Sequence, residues 1–490
     1  MNGFVYAVNI GDESMVKTML ADMVATNGKT PETFITEHEG SHFGYFVIDK
    51  NSSDIQTAVS PDGLRSIVFS GKITNASRLR PNIKPKPRDQ SDASLILALY
   101  KMKGRKCVHY LEGAFAFVLR DRDILYAARD HLGIQPLYYS RNGEGWVFGS
   151  LLKAFLQSTG QICEFPPGCY FENSVGARKY FKLPHSMVGT VNAQETTELV
   201  RQLVLDAVYK SLKSDKEVGI YLTGSVESCI VAAIAASRNK KIKTYSVGVD
   251  DTLDGQTAKK VAAWLGTDHT HITVSEQEIL ENLSKIIHIV ESYDAGIIRH
   301  AVADYFVVQE AAKNVSVLIS GDAANELFGG YAYLRPMFAE KLSSELFSIS
   351  SDLHRTQLQR WNRITSAFGV EGRVPFADRR LAHTVSRLPT SLKINEDGRS
   401  KWSLRRAFST QLPAWVVDRP DSDDAMLVGI QEELKKYAES VFTDEDVKSH
   451  NQRTSEGLPP VRTKDELLYY QIWSAKFPAT FVSLVGRTEL

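Results

Sequence analysis

Between Phe4 and about Lys182 the apolar positions fall in short runs of aromatic and β-branched residues, bounded by Gly, Asp and Asn. Gly44–Ile48, Ser66–Ser70, Ala114–Leu119, Ile124–Ala128 and Trp146–Gly149 each read as a strand on a pleated, half-buried surface. Helical stretches lie between them, notably Asp92–Lys103. The pattern predicts an α+β domain with stacked or facing sheets. Residues 183–193, with Pro184, Gly189 and polar neighbours, read as a linker.

From Ala193 onward the period changes. An amphipathic helix, Glu195–Leu212, leads into a strand, Val218–Leu222. An alanine-rich helix (Ser228–Ser237) follows, then strand Ile242–Val249, helix Gln256–Leu265, strand His269–Val274, a further helix and strand Val315–Ile319. Alternation of this kind predicts a doubly wound parallel sheet with ligands beyond the carboxyl ends of its strands. Past Leu327 the pattern is mostly helical.

Composition narrows the function classes. The chain has 490 residues, too many for one core and suited to two or three domains. Lys+Arg and Asp+Glu both total 58, so no basic excess favours nucleic acid or a membrane surface. No apolar run approaches the ~18 residues of a membrane span, and no signal peptide is visible at the N-terminus. The four cysteines show no metal-binding spacing. They read as reduced thiols of a cytoplasmic protein.

Two turns carry the candidate chemistry. Thr223-Gly224-Ser225-Val226-Glu227-Ser228 stops a strand with small and hydroxylated residues and opens a helix, whose N-terminus attracts an anion. Ser320-Gly321-Asp322-Ala323-Ala324-Asn325-Glu326 repeats the arrangement later in the chain. Neither is a Walker loop, because no Gly-Lys-Ser/Thr closes it.

The first turn resembles the Ser-Gly-Gly-x-Asp-Ser pyrophosphate loop of the N-type ATP pyrophosphatases. Further elements resemble the asparagine synthetase family in order. They are Thr244–Val249 with Trp264–His269, Glu291-Ser292-Tyr293-Asp294 with Arg299, Ser320–Tyr331, Glu371–Asp378 and Lys401-Trp402-Ser403-Leu404-Arg405. In the N-terminal part, Ser70-Gly71-Lys72-Ile73-Thr74-Asn75, Leu111–Phe117 and Ala128–Tyr138 also resemble family segments. The resemblance implies an Ntn-hydrolase-like, class II amidotransferase sandwich over 1–183. An ATP-pyrophosphatase-type α/β domain with a helical C-terminal part follows over 194–490. It implies use of ATP and Mg2+, with small-molecule carboxylate and amine substrates. It places Leu222, Thr223, Gly224, Ser225, Glu227, Ser228, Val247 and Gly321 on the nucleotide. Glu227 and Asn325 face the metal, and Asp294, Arg299 and Asp322 line the substrate pocket. Asp322, Lys401 and Arg299 are the candidate catalytic groups.

The chain also departs from the family. A glutaminase of this kind attacks with a cysteine at the start of the mature chain. Here Asn2 stands in that place and no cysteine precedes Cys107. Ser70 replaces the asparagine of Asn-Gly-Glu. In the synthetase part, Glu227 and Asn325 replace two magnesium-binding aspartates, and Asp322 replaces a glutamate. Arg419-Pro420 runs on into Asp421, Ser422, Asp423 and Asp424, where the family has a lysine. The reading is an ATP-dependent, AMP- and pyrophosphate-forming amide ligase without glutaminase activity. Two others stay open. One is a ring-closing cyclase of the beta-lactam synthetase kind; the other is a non-catalytic paralogue, a scaffold or regulatory subunit. In either case the chain is expected to form a homodimer or to pair with a catalytic homologue.

Overall fold

A computed structural model describes residues 3–24, 32–38, 41–47, 55–84, 86–158, 160–185, 191–249, 253–419 and 428–488. The chain divides into two compact units. One comprises Met1–Lys182 with Ser366–Gly369 and Thr480–Leu484; the other comprises Leu183–Thr365, Val370–Ala479 and Val485–Leu490.

The first unit holds strands β1 (Gly3–Val8), β2 (Glu32–His38), β3 (Ser41–Val47), β4 (Ile55–Val59), β5 (Arg65–Ile73), β6 (Gly113–Asp121), β7 (Ile124–Arg129), β8 (Tyr138–Asn142), β9 (Gly145–Gly149), β10 (Ile162–Glu164), β11 (Cys169–Glu172) and β12 (Gly176–Lys179). They form two six-stranded sheets, ordered β10-β8-β9-β1-β3-β2 and β12-β11-β7-β6-β5-β4. The two-residue period of the strands decides the layering. Val68, Ala116, Val118 and Ala127 meet Phe4, Tyr6, Phe43 and Phe148 in a core between the sheets. Their neighbours Ile67, Phe69, Phe117, Leu119 and Tyr126 face the other way and pack with Leu95, Ile96 and Leu99 of the helix Asp92–Lys103.

One turn of this unit is held almost wholly by charge-assisted bonds. After β7 the Asp130 carboxylate accepts backbone N–H groups from Phe115, Leu132, Ile134 and Gln135 at 2.9–3.1 Å. The fully buried Arg129 donates to the carbonyls of Gln135, Gly133 and Phe165 and pairs with Glu164 at 2.8 Å. The Ala128–Tyr138 segment thus encodes a turn in which every side-chain charge is answered.

In the second unit β13 (Val218–Tyr221), β14 (Lys243–Gly248), β15 (Asp268–Thr273), β16 (Val317–Ile319) and β17 (Glu371–Arg373) make a parallel sheet ordered β15-β14-β13-β16-β17. The chain steps outward from β13 to β14 and β15, then returns to place β16 on the other side of β13. That reversal is a topological switch point, where the loops of neighbouring strands part and leave a crevice. The strand β17 lies in the Glu371–Asp378 motif, and the hydrophobic pattern does not reveal it: only three residues long, it is extended by pairing with β16.

Replacing Arg129 with Met leaves Glu164 buried without a counter-charge and is expected to cost roughly 3–5 kcal/mol. Hydrogen exchange of the β6–β7 amides should accelerate in that variant while the second unit's amides keep their protection.

Candidate nucleotide site

Both polar turns sit at the switch point. β13 is extended one residue by the Leu222 amide, which donates to the Tyr245 carbonyl at 2.8 Å. Gly224 then turns the chain with φ +86°, a conformation that favours glycine. Ser225 caps the helix Val226–Arg238, its hydroxyl accepting the Ser228 amide. The hydroxyls of Thr223, Ser225 and Ser228 stand 2.9–3.2 Å from one another. Three hydroxyls and a helix N-terminus gathered at one strand end form a cradle for anionic oxygens. Arg419 reaches this loop and donates to the Gly224 carbonyl at 3.1 Å.

The second turn follows β16 on the adjacent strand. Ala323 adopts φ +70°, unusual for a residue with a Cβ. The two turns touch through Gly321: a Cβ there would lie 2.9 Å from Glu227 Cγ. Glu227 pairs with Lys401 at 2.6 Å, and both side chains are 8% exposed. Gly330 makes room for this pair, since a Cβ on it would lie 2.5 Å from Lys401 Cε and would strike the Asn325 side-chain oxygen. Glu227, Asn325 and Lys401 therefore share one location.

Beside them lies a buried charge cluster. Asp322 accepts from the Ser320 hydroxyl at 2.6 Å and pairs with Arg360 at 2.6 Å. Arg360 also pairs with Asp304 at 2.7 Å. Burial drives the Asp304 carboxyl up to about 6 even though Arg360 opposes the shift. Tyr331 donates to Glu326 at 2.5 Å, and burial raises that carboxyl too.

Comparison with known proteins gives this arrangement its context. The Asparagine synthase family profile matches residues 199–351 and 338–477, and a Glutamine amidotransferase domain profile matches 45–157. Asparagine synthetase [glutamine-hydrolyzing] 2 of Oryza sativa subsp. japonica is 31% identical over 467 residues, spanning 89% of this chain and 78% of its own length. The chain belongs to the asparagine synthetase family. Asparagine synthetase B of Escherichia coli K12 is also 31% identical, across 89% of this chain and 83% of its own. By family the chain is an ATP-dependent amide ligase with a recognised amidotransferase domain. Among the described residues no helix is long and apolar enough to cross a membrane.

Family membership sharpens the account of each candidate residue. Leu222, Thr223, Gly224, Ser225, Glu227, Ser228, Gly321, Asp322, Asn325 and Lys401 all come from the two switch-point turns or from side chains touching them. Val247 is buried on β14, two residues past the Tyr245 that pairs with Tyr221. Asp294 and Arg299 are placed differently. Asp294 caps the helix Ala295–Ala311 and is fully buried against Arg462 at 2.6 Å and Thr488 at 2.6 Å. Arg299 pairs with Asp465 at 2.8 Å. Both are engaged with the C-terminal segment of the unit. Lys401 pairs with Glu227 beside the first turn. The acidic run after Arg419 lies outside the described residues.

The expected metal pair fares similarly. A tightly held Mg2+ takes one or two carboxylates, waters and substrate phosphates in octahedral array. Here the pair supplies one carboxylate, already neutralised by an ammonium, and one uncharged amide. Glu227 and Asn325 do not fit a tight magnesium site.

Arg360 and Asp304 were not foreseen. The signal was present in Ala301-Val302-Ala303-Asp304-Tyr305-Phe306-Val307-Val308, where a lone aspartate in an apolar helix demands a buried cation. What the linear sequence does not give is that the cation comes from the helix Gln357–Ala367.

The Trp264–His269 motif has a structural role as well. His269 bonds Thr244 at 2.9 Å and Ser246 at 3.1 Å across the β14–β15 ladder. Burial, aided by His271 and Lys259, pulls the His269 imidazolium down from 6.5 to about 4. The folded chain therefore binds fewer protons here than the unfolded chain between those values. Stability present above pH 6.5 is lost as the pH falls toward 4. His269→Gln removes this component: its urea midpoint should fall less than that of the unaltered chain between about pH 7 and about pH 4.5.

Proposed function

We propose that the second unit activates a small-molecule carboxylate with ATP. A carboxylate oxygen attacks the α-phosphorus, the bond to the pyrophosphate oxygen breaks, and an acyl-adenylate results. An amine nitrogen then bonds to the acyl carbon, AMP departs with the carboxylate oxygen, and the amine gives up a proton. The observation that carries this reading is the meeting of the two turns at the switch point, Gly321 against Glu227. The Thr223, Ser225 and Ser228 hydroxyls and the helix N-terminus receive the pyrophosphate portion. Leu222 and Val247 flank the adenosine, and Asp322, held by Arg360 and Ser320, borders the acyl group. The chain's own contribution is positioning and charge stabilisation.

The first unit is proposed not to hydrolyse glutamine. Asn2 stands where the family carries its attacking cysteine. Cys107 is fully buried, and that burial pushes its thiol up to about 12, against thiolate formation. Ser70 donates to Gln135 at 3.1 Å in place of the family's asparagine. Asn2 itself lies outside the described residues. The nitrogen is then ammonia or a substrate amine. All four cysteines are free, which favours a reducing, cytoplasmic setting.

The second reading is a non-catalytic binding subunit. What favours it is the mutual neutralisation of Glu227 and Lys401 beside an uncharged Asn325.

ATP–pyrophosphate exchange across a panel of amino and dicarboxylic acids separates the two. Exchange with at least one acid is expected, reduced at least ~tenfold in the Ser225→Ala/Ser228→Ala double variant by loss of phosphate contacts. No exchange with any acid, in a chain that still binds ATP, supports the binding subunit. Incubation with glutamine should release no glutamate above background.

A further inference from the structure

The lysine in this site is built in as firmly as the loop beside it. Lys401 opens the helix Trp402–Ala407 in the left-handed region, φ +54°, which a residue with a Cβ rarely adopts. Its amide donates to the Phe328 carbonyl at 3.2 Å, and its carbonyl accepts the Arg405 amide at 2.9 Å. That backbone aims the side chain past Gly330 to Glu227, and Gly330 is needed to let it through. Two glycines, Gly321 and Gly330, thus clear space for one ion pair.

Glu227 contributes −1, Lys401 +1 and Asn325 nothing. Arg419, on the Gly224 carbonyl, adds +1 at the loop itself. Asp322 is paired with Arg360, which also carries Asp304. A hard dication gains little from a neutralised carboxylate and an amide oxygen. A polyphosphate meets the net positive charge of Arg419 on the same loop. An ammonium has three N–H donors, and Glu227 takes one of those of Lys401 among the described residues.

We propose that Lys401 supplies at this loop the positive charge that a magnesium ion would otherwise bring. On this basis the chain binds the triphosphate of free ATP about as tightly as that of its magnesium complex. The inference rests on the reading that these turns hold ATP. It adds that Glu227 serves to orient Lys401 and not to ligate a metal.

Calorimetric titration of the full chain with ATP, in excess EDTA and in excess magnesium, tests this. The two affinities should agree within about threefold, and Lys401→Met should weaken binding in EDTA at least ~tenfold, equivalent to about 1.4 kcal/mol. Glu227→Gln, which frees the ammonium, should keep or tighten binding in EDTA and shows that the pocket survives substitution. Asn325→Asp should move the preference toward the magnesium complex. Binding by the unaltered chain in magnesium alone overturns the inference but leaves the nucleotide reading standing. So does a Lys401→Met affinity in EDTA equal to that of the unaltered chain. No ATP binding under either condition overturns both.

Discussion

The contact between Glu227 and Lys401 is the constraint around which the second unit's active end is arranged. It ties the helix after β13 to a segment far along the chain, and it does so where the strand order of the parallel sheet reverses. Everything near it gives way sterically: Gly321 and Gly330 lack side chains where a Cβ would strike the pair or its neighbour Asn325. An ion pair this buried has a desolvation cost that its own attraction barely offsets. Either partner alone would be a buried unpaired charge.

The same logic recurs through the molecule. Arg360 bridges Asp304 and Asp322, Arg363 pairs with Glu291 at 2.5 Å with both side chains fully buried, and Arg129 anchors the turn after β7. In each case a guanidinium, planar and rich in donors, answers acids or carbonyls that an apolar core would otherwise strand. Arg360 and Arg363, one helical turn apart, let the helix Gln357–Ala367 neutralise two other helices' acids from one face. These networks fix which segments meet; the apolar layers around them supply most of the favourable free energy.

Much of the architecture was legible in the linear pattern. The period-two runs of the first unit became the sheets, and the alternating runs of the second became parallel strands in the expected order. The Thr223–Ser228 and Ser320–Asn325 turns were legible as strand ends that run through small polar residues into a helix. The short strand β17 escaped notice, since three residues carry no measurable period. The fates of Asp294 and Arg299 were not legible either. A motif gives residue types and spacing, but their partners Arg462, Asp465 and Thr488 come from the far end of the chain.

What the sequence determined by itself is the alternation of elements, the two turns and the family to which they belong, because periodicity and turn chemistry are local properties. What only the tertiary structure decided is how each charge is used. Whether Lys401 faces solvent, a phosphate or Glu227 depends on which backbone passes within a few ångströms, and that is set by the return of β16 beside β13. Electrostatic pairing in a buried site is a matter of distance in space, and distance along the chain does not contain it.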